Sequence, residues 1–253
     1  MKHYTKFMFP IRDHNPSLRF PYITYALIII NTLIFLSYWG ILGDPNKINP
    51  LFQNWALVPE SISEGRSYLG LLTSIFFHGS FMHLLGNMLF LHIYGDNLED
   101  KMGHFWFLVF YLLAGIFANL TQFAADPYSN IPVIGASGAV AAVMGGYLLL
   151  FPKARIDILF IFVIIFKIIP IRAWVVLGIW FTLQLYNGLA VPGSVSGVAY
   201  WAHIGGFIFG VIATFSTWKK LGGEKFWSKN HGAPDHKEAS YSFNKTNIPK
   251  VRR

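Results

Sequence analysis

Long apolar segments separated by short polar stretches run through most of the chain. Most of these segments approach the roughly 20 residues that an α-helix needs to cross about 30 Å of hydrocarbon. The pattern predicts an all-α polytopic membrane protein, a bundle of six transmembrane helices with a short fourth helix. The six segments lie at about 22–42, 81–94, 104–124, 137–151, 173–189 and 199–218.

A seventh apolar run, 158–169, is shorter than the others. It carries Lys167 and is followed directly by Pro170, which disfavours a continuous membrane helix at this point. We interpret this run as an interfacial or partly buried connector, although it could instead extend the fifth span.

The pattern divides the chain into three parts. Residues 1–21 are polar and mixed and form an N-terminal cytoplasmic segment, and residues 22–218 form the membrane core. Residues 219–253 are basic and lack hydrophobic periodicity. This composition indicates a solvated and partly disordered cytoplasmic tail, with weak attraction to anionic lipid headgroups as the alternative.

Composition supports a membrane location for the core. Hydrophobic residues make up 54% of the chain and charged residues only 13%, whereas about a quarter of a soluble domain is charged. The net charge of +8 does not indicate a nucleic-acid partner, because the basic residues flank the apolar segments instead of forming a patch. The chain has no cysteine, which excludes disulfides and thiolate metal sites.

The basic residues also predict the orientation of the spans. If both termini lie inside, all of the 20 lysines and arginines except Lys47 and Arg66 fall in inside segments. This asymmetry follows the positive-inside rule and favours an even number of spans. With a short, non-helical outer loop and a compact six-span core, it predicts a multi-pass protein of a bacterial plasma membrane, with both termini cytoplasmic.

A few polar residues lie where lipid is expected. His78, His83 and Asn87 surround the second segment, Ser137 begins the fourth, and His203 lies in the sixth. Each of them alone has an ordinary explanation, such as a hydrogen bond to a neighbouring helix or close helix packing. Because polar groups within a bilayer are costly, the five together indicate a functional site.

Ser137 occupies an unusual position in the fourth segment. The helix from Ser137 to Phe151 would be about 22 Å long, too short to cross the bilayer, so its start must lie below the outer surface. The preceding loop, which contains Pro132, therefore has to dip inward and line an aqueous pocket. The free N–H groups at a helix N-terminus would suit a developing oxyanion.

Small residues on the fourth and sixth segments suggest how Ser137 meets His203. Faces of small residues let membrane helices approach closely, so contact between these two would bring both side chains to one interface. Two packing seams without chemistry are the alternative. The faces consist of Ser137, Ala141 and Gly145 in one segment and His203, Gly206 and Gly210 in the other.

The second segment offers groups that could complete a hydrolytic site. His83 and Asn87 are four residues apart and share a helix face, where they could stabilise an oxyanion together with the Ser137 N–H. His78 and His83 lack the spacing and the glutamate of a zinc-protease motif, so we expect no metal and no other cofactor. No acid completes a triad, but a Ser–His dyad is chemically sufficient.

Three motifs in order resemble those of the rhomboid intramembrane serine proteases. They are His78-Gly-Ser-Phe-Met-His83-Leu-Leu-Gly-Asn87, then Gly135-Ala-Ser137-Gly138, then Ala202-His203-Ile-Gly-Gly206-Phe-Ile-Phe-Gly210. The resemblance covers about residues 22–218 and implies a six-span rhomboid-like protease core.

The resemblance also implies a role for each matching position. Ser137 would be the nucleophile and His203 the general base. His83 and Asn87 would form the oxyanion hole with the Ser137 N–H. The remaining motif positions would have structural roles near the site: Gly135 in the loop before the nucleophile, His78 near the outer end of the second span, and Gly138, Gly206 and Gly210.

Two positions depart from the family pattern. Lys101 stands where the family has the arginine of a glutamate-x-arginine element after Glu99. Ala141 stands where some relatives carry an aromatic residue that stacks on the catalytic histidine. Another group must then orient His203.

The predicted function is that of an intramembrane serine endopeptidase, a hydrolase that cleaves transmembrane segments near their outer boundary. Its partners would be transmembrane protein substrates within the lipid bilayer. A catalytically silent scaffold or chaperone that binds membrane proteins is the first alternative, but it would be expected to lack Ser137 or His203. A transporter is the second, but neither a polar path across the membrane nor an internal repeat is seen.

Overall fold

A computed structural model of the chain describes residues 6–162, 165–190, 197–230, 232–234, 237–239 and 241. Within them, helices dominate and a small antiparallel sheet lies at one end. The helices are α1 (Tyr22–Tyr38), α2 (Pro45–Trp55), α3 (Pro59–Ser63), α4 (Gly70–Thr73), α5 (Phe81–Met102), α6 (His104–Ala125), α7 (Ser137–Leu150), α8 (Ala173–Ala190), α9 (Tyr200–Lys220) and α10 (Glu224–Asn230). The strands are β1 (Lys6–Asp13), β2 (Arg155–Phe162) and β3 (Ile165–Arg172).

Several helices are long and apolar enough to cross a membrane. Among the described residues three qualify singly, namely Tyr22–Ile41, His104–Ala125 and Ala173–Ala190. The bent pair of Gly70–Phe76 and Phe81–Met102, with an angle of 93° between its parts, adds a fourth if it is counted as one span. These helices indicate an integral membrane protein, and the count of six spans stays a prediction.

Helix α5 is longer than the apolar segment 81–94 that predicted it, since it continues to Met102. Its C-terminal end is polar in sequence, which hides this part of the helix from a hydropathy pattern, but tertiary contacts use these polar groups. The Glu99 carboxylate accepts hydrogen bonds from the backbone N–H groups of Ile23 and Thr24 at 2.9 and 2.8 Å. Glu99 thereby satisfies free donors at the first turn of α1 and ties the two helices together.

Within the run 158–169, residues 158–162 and 165–169 belong to two paired strands between α7 and α8, so the run connects these helices and the alternative that it extends the fifth span is wrong. Strands β2 and β3 pair antiparallel, with Arg155 opposite Arg172. Strand β1 pairs with the other edge of β2, so part of the N-terminal segment also has regular structure, and the prediction of an all-α protein is incomplete. The β-branched and aromatic residues of β2 and β3 favour strands, but the pairing of β1 with β2 is non-local.

The beginning of the C-terminal tail is structured as well. Helix α10 follows α9 after a short turn, and Ala239 lies against the sheet. The Ala239 N–H donates to the His14 carbonyl at 3.0 Å, and His14 Nδ1 lies 2.8 Å from the Ala239 carbonyl oxygen. Part of the predicted tail therefore has regular structure and contacts the rest of the protein, although most residues of α10 are exposed as expected, while residues 231, 235–236, 240 and 242–253 lie outside the described part.

The loop between the first two apolar segments contains helices. Helix α2 fills much of it, with the Asp44 side chain accepting from the Asn46 N–H at 3.1 Å as an N-cap. Beyond α2, Leu57 forms two backbone hydrogen bonds with Val133, of 3.1 and 2.8 Å, in the loop before α7. The chain that follows α2 consequently supports the segment that precedes Ser137.

Asp13 gives the sheet end of the protein a pH-dependent stability. Burial raises the pKa of Asp13 to about 8, even though the hydrogen bond from the Tyr147 hydroxyl, at 2.6 Å, acts in the opposite direction. The folded protein therefore binds more protons than the unfolded chain between about pH 4 and pH 8. This contribution to stability is fully present below pH 4 and is lost as the pH rises through 8.

We expect the thermal unfolding midpoint of the wild type to decrease as the pH is raised from 5 to 9. Asp13→Asn should remove the part of this decrease that comes from Asp13. Thermal unfolding in detergent at a series of pH values measures it. Asp126→Asn, which changes an exposed carboxylate after α6, should keep the wild-type slope. Parallel curves for wild type and Asp13→Asn would contradict the assignment to Asp13.

Candidate active site

Helices α7 and α9 lie with their backbones in contact. A Cβ atom built on Gly206 would overlap the carbonyl oxygen of Gly138, and one built on Gly210 would overlap the carbonyl oxygen of Ala142. On the opposing helix, a Cβ at Gly145 would overlap the Phe207 carbonyl oxygen. Glycine at these positions allows an approach that no other residue permits, and the approach brings the start of α7 beside the start of α9.

This approach places Ser137 and His203 side by side. Ser137 Oγ lies 2.8 Å from His203 Nε2, which is within hydrogen-bond distance. Both residues are partly buried, Ser137 as the first residue of α7 and His203 in the first turn of α9. A hydroxyl and an imidazole in this relation match the geometry of a nucleophile and its general base.

A third side chain, which the sequence analysis missed, holds the other ring nitrogen of His203. Gln184 of α8 has its Oε1 atom 2.8 Å from His203 Nδ1. The Trp180 ring, one turn earlier on α8, lies with its centroid 5.9 Å from that of the imidazole, at an angle of 37°. The signal was available, because Gln184 is a polar residue inside an apolar segment.

The loop before α7 is fixed by backbone hydrogen bonds and by a glycine. The Gly135 N–H donates to the Ser74 carbonyl at 3.0 Å, and Asn119 of α6 donates to the Ser74 hydroxyl at 2.8 Å. Gly135 has φ of +123°, which disfavours any side chain. A Cβ atom there would lie 2.6 Å from His83 Nε2 and 3.7 Å from Ser137 Oγ, so the backbone passes tightly between these two side chains.

His83 and Asn87 lie on α5, one helical turn apart. His83 is partly buried and borders the loop of Gly135. Asn87 is buried and donates one N–H of its amide to the His83 carbonyl at 2.9 Å, which leaves a second N–H on the same nitrogen. A backbone hydrogen bond at the start of α7 runs from the Val140 N–H to the Ala136 carbonyl, and the N–H groups at the first turn of a helix have no partner within the helix.

His78 is fully buried and lies between two parts of the structure. Its backbone N–H donates to the Tyr38 hydroxyl at 2.8 Å, at the end of α1. Its ring nitrogen Nε2 accepts from the Ala136 N–H at 3.5 Å, next to Ser137. His78 therefore connects the first helix to the loop before α7.

A cavity of about 570 Å³ opens beside these groups. Ser137, His83 and His203 lie in its wall. The rest of the wall consists of residues of the loop before α7 and of further side chains. The polar ones among these are Asn49, Gln122, Asp126 and Ser129. A cavity with this lining can admit water to a serine and a histidine that are otherwise surrounded by apolar helices.

Comparison of the sequence with known proteins shows to which family it is similar. The family model described as Rhomboid domain matches residues 65–220, more than half of the chain. The Saccharomyces cerevisiae protein named Rhomboid protein 1, mitochondrial, is 28% identical over 194 residues, which is 75% of this chain and 51% of that protein. The Arabidopsis thaliana RHOMBOID-like protein 12, mitochondrial, is 27% identical over 208 residues, which is 76% of this chain and 57% of that protein.

A bacterial relative is also similar. The Bacillus subtilis protein named Rhomboid protease GluP is 34% identical over 128 residues, 51% of this chain and 24% of its own length. The chain thus spans about half the length of the two mitochondrial relatives and a quarter of the bacterial one.

Proposed function

The chain belongs to the rhomboid family, and from this premise we propose that it is an intramembrane serine endopeptidase. The observation that carries the proposal is the 2.8 Å separation of Ser137 Oγ and His203 Nε2 beside a cavity with polar lining. A relative named as a protease, from Bacillus subtilis, supports the same reaction class.

In the proposed reaction, Ser137 attacks a peptide carbonyl of the substrate while His203 Nε2 takes the hydroxyl proton. The C–N bond then breaks, and Nε2 gives this proton to the leaving amine. Water, deprotonated in turn by Nε2, attacks the resulting ester. The carboxylate product leaves, and Ser137 regains its proton.

The developing negative charge on the carbonyl oxygen needs donors in a site with little water. We assign this role to the Ser137 N–H at the start of α7, the His83 ring and the free amide N–H of Asn87. Each of these groups is held by an α-helix or its first turn, so little reorganisation is needed as the charge forms.

The substrates we propose are transmembrane segments that unwind near their outer boundary. Backbone in a helix is hydrogen-bonded internally, so a scissile bond becomes accessible to Ser137 only where small or helix-breaking residues ease unwinding. With six spans and both termini inside, the sheet would lie on the inner face and the cavity would open outward. We propose that the protein lies in a bacterial plasma membrane, as its similarity to a bacterial relative suggests. The similarity to mitochondrial relatives makes an organelle membrane the alternative.

The proposal is tested with purified protein in mild detergent and a single-span substrate that carries small residues near its outer boundary. We expect cleavage near that boundary, located by mass spectrometry and unchanged by EDTA, and labelling of Ser137 by a fluorophosphonate probe. Sensitivity to EDTA would contradict a metal-free mechanism. Absence of both cleavage and labelling would favour the scaffold instead.

Asn87→Ala tests the oxyanion assignment. We expect kcat to fall about 100-fold with little change in KM, because an oxyanion donor acts mainly in the transition state. Asn31→Ala is the matched control, since Asn31 is also buried and donates to the carbonyl four residues earlier, but on α1. Equal losses in the two variants would assign Asn87 a structural role only.

A further inference from the structure

The Ser137–His203 pair works only if the imidazole keeps one tautomer and one orientation. Nε2 must present its lone pair to the Ser137 hydroxyl, so the proton of the neutral ring has to lie on Nδ1. The acceptor for that proton is Gln184 Oε1 at 2.8 Å. Because an amide oxygen only accepts, this hydrogen bond selects the tautomer in which Nε2 can act as a base.

Other groups near His203 do not supply this bond. Ala141 has no ring to stack on the imidazole, and the Trp180 ring contacts it at 5.9 Å without a hydrogen bond. The acid in the cavity wall, Asp126, lies in the outer loop after α6. In the described ranges of the chain, Gln184 is the hydrogen-bond partner found at Nδ1.

An amide suits this position better than a carboxylate. In the transition state His203 becomes an imidazolium, and the carbonyl dipole of Gln184 stabilises the added charge through Nδ1–H. A carboxylate within the bilayer would carry a permanent charge and a large desolvation penalty in the resting enzyme. Glutamine provides the acceptor without that penalty.

Helix α8, which carries Gln184, has no buried residue in its outer half among those described. Its buried residues, Ala173 and Leu177, both belong to the inner half. Farther out, the contacts are those of aromatic rings, such as Phe181 stacked on Phe207 with centroids 4.7 Å apart, and the close approach of Gly188 to Tyr200. Movement of this half of the helix would withdraw Gln184 from His203.

We propose that Gln184 is the positioning residue of the Ser137–His203 pair, and that it makes the orientation of His203 depend on the docking of α8 against α9. The proposal rests on the proposed protease function. Its consequence is that the base is correctly aligned only while the outer half of α8 is in place.

Substitution at Gln184 tests the hydrogen bond. We expect Gln184→Leu, which removes the acceptor, to lower kcat about 10-fold to 100-fold with KM within about twofold. Gln184→Glu retains an acceptor oxygen and should recover part of the loss, because the carboxylate restores the hydrogen bond to Nδ1 but carries the desolvation penalty. Thr182→Val is the matched control, since in the described part of the chain the Thr182 hydroxyl bonds to Gly178 of its own helix alone. Wild-type kcat in Gln184→Leu, or no recovery in Gln184→Glu, would overturn the proposal.

A spectroscopic measurement tests the tautomer without relying on turnover. In protein labelled with ¹⁵N-histidine, His203 signals are assigned by their loss in His203→Asn. The wild type should show a protonated Nδ1 and an unprotonated Nε2, and Gln184→Leu should lose this pattern. If the wild type cleaves and the pattern is the same in both proteins, the positioning role is wrong while the protease function stands. If the wild type neither cleaves nor reacts with a fluorophosphonate, the proposed protease function is wrong. The ¹⁵N pattern still shows whether Gln184 accepts a hydrogen bond from His203 Nδ1.

The absence of native cysteine allows a direct test of α8 docking. A Cβ atom on Gly188 would lie 3.3 Å from the Tyr200 Cβ, near the separation found in disulfides. Oxidised Gly188→Cys/Tyr200→Cys should keep the fluorophosphonate labelling rate of the wild type, because the locked helix holds Gln184 in place. Gly188→Leu, which wedges α8 away from α9, should slow labelling as much as Gln184→Leu does. Slow labelling in the locked protein, or wild-type labelling in the wedged one, would overturn the dependence on docking.

Discussion

Ser137→Ala and His203→Ala are each expected to lower kcat by at least about 10⁴-fold, and the double variant should be no worse than either single one. The reason is that the two side chains act as one unit: without His203 the hydroxyl has no base at 2.8 Å, and without Ser137 the base has no nucleophile to activate. Cleavage of a single-span substrate, followed with time and with enzyme in excess, measures the rates.

Two matched variants control for general effects on the helices. Ser216→Ala removes a hydroxyl of α9 that, among the described residues, bonds to Ala213 alone, and His92→Ala removes an exposed imidazole of α5. Both should retain the wild-type rate. Wild-type cleavage by Ser137→Ala, or losses that multiply in the double variant, would show that the reaction does not proceed through this pair.

Gly206→Ala is expected to produce the second large effect, although it adds a single methyl group. The new Cβ would overlap the Gly138 carbonyl oxygen, so two backbones must separate at the position where the pair is formed. Overpacking of this kind destabilises by about 1–3 kcal/mol. A displacement of about 1 Å between reacting groups can lower the rate about 100-fold, so we expect an active-site loss beyond the loss of stability.

Thermal unfolding and cleavage of the same preparation measure both effects. Gly178→Ala on α8 is the matched control, because a Cβ atom at Gly178 would have no neighbour within 4 Å. It should match the wild type in both assays. If Gly206→Ala behaves like Gly178→Ala, close contact between α7 and α9 is not required for the site.

Part of the fold was predictable because membrane helices are encoded locally. Hydropathy located α1, α6 and α8 within a few residues, since each helix satisfies its own backbone and needs only an apolar surface. Hydropathy underestimated the length of α5, because the C-terminal end of this helix is polar and is stabilised by the contact of Glu99 with the first turn of α1. It missed the sheet, in which β1 pairs with a strand far along the chain, because such pairing leaves little trace in a local pattern.

The sequence by itself determined the family, which the Rhomboid domain match confirms, and it identified Ser137, His203, His83 and Asn87 as candidates. It could do so because these residues belong to short motifs and because small residues on two helix faces indicate their contact. Only the tertiary structure revealed what surrounds the pair. The partner of His203 Nδ1 lies on a different helix, 19 residues away, and a single glutamine in an apolar segment does not say which group it meets. That partner depends on how α8 docks on α9, a contact between helices that hydropathy does not encode.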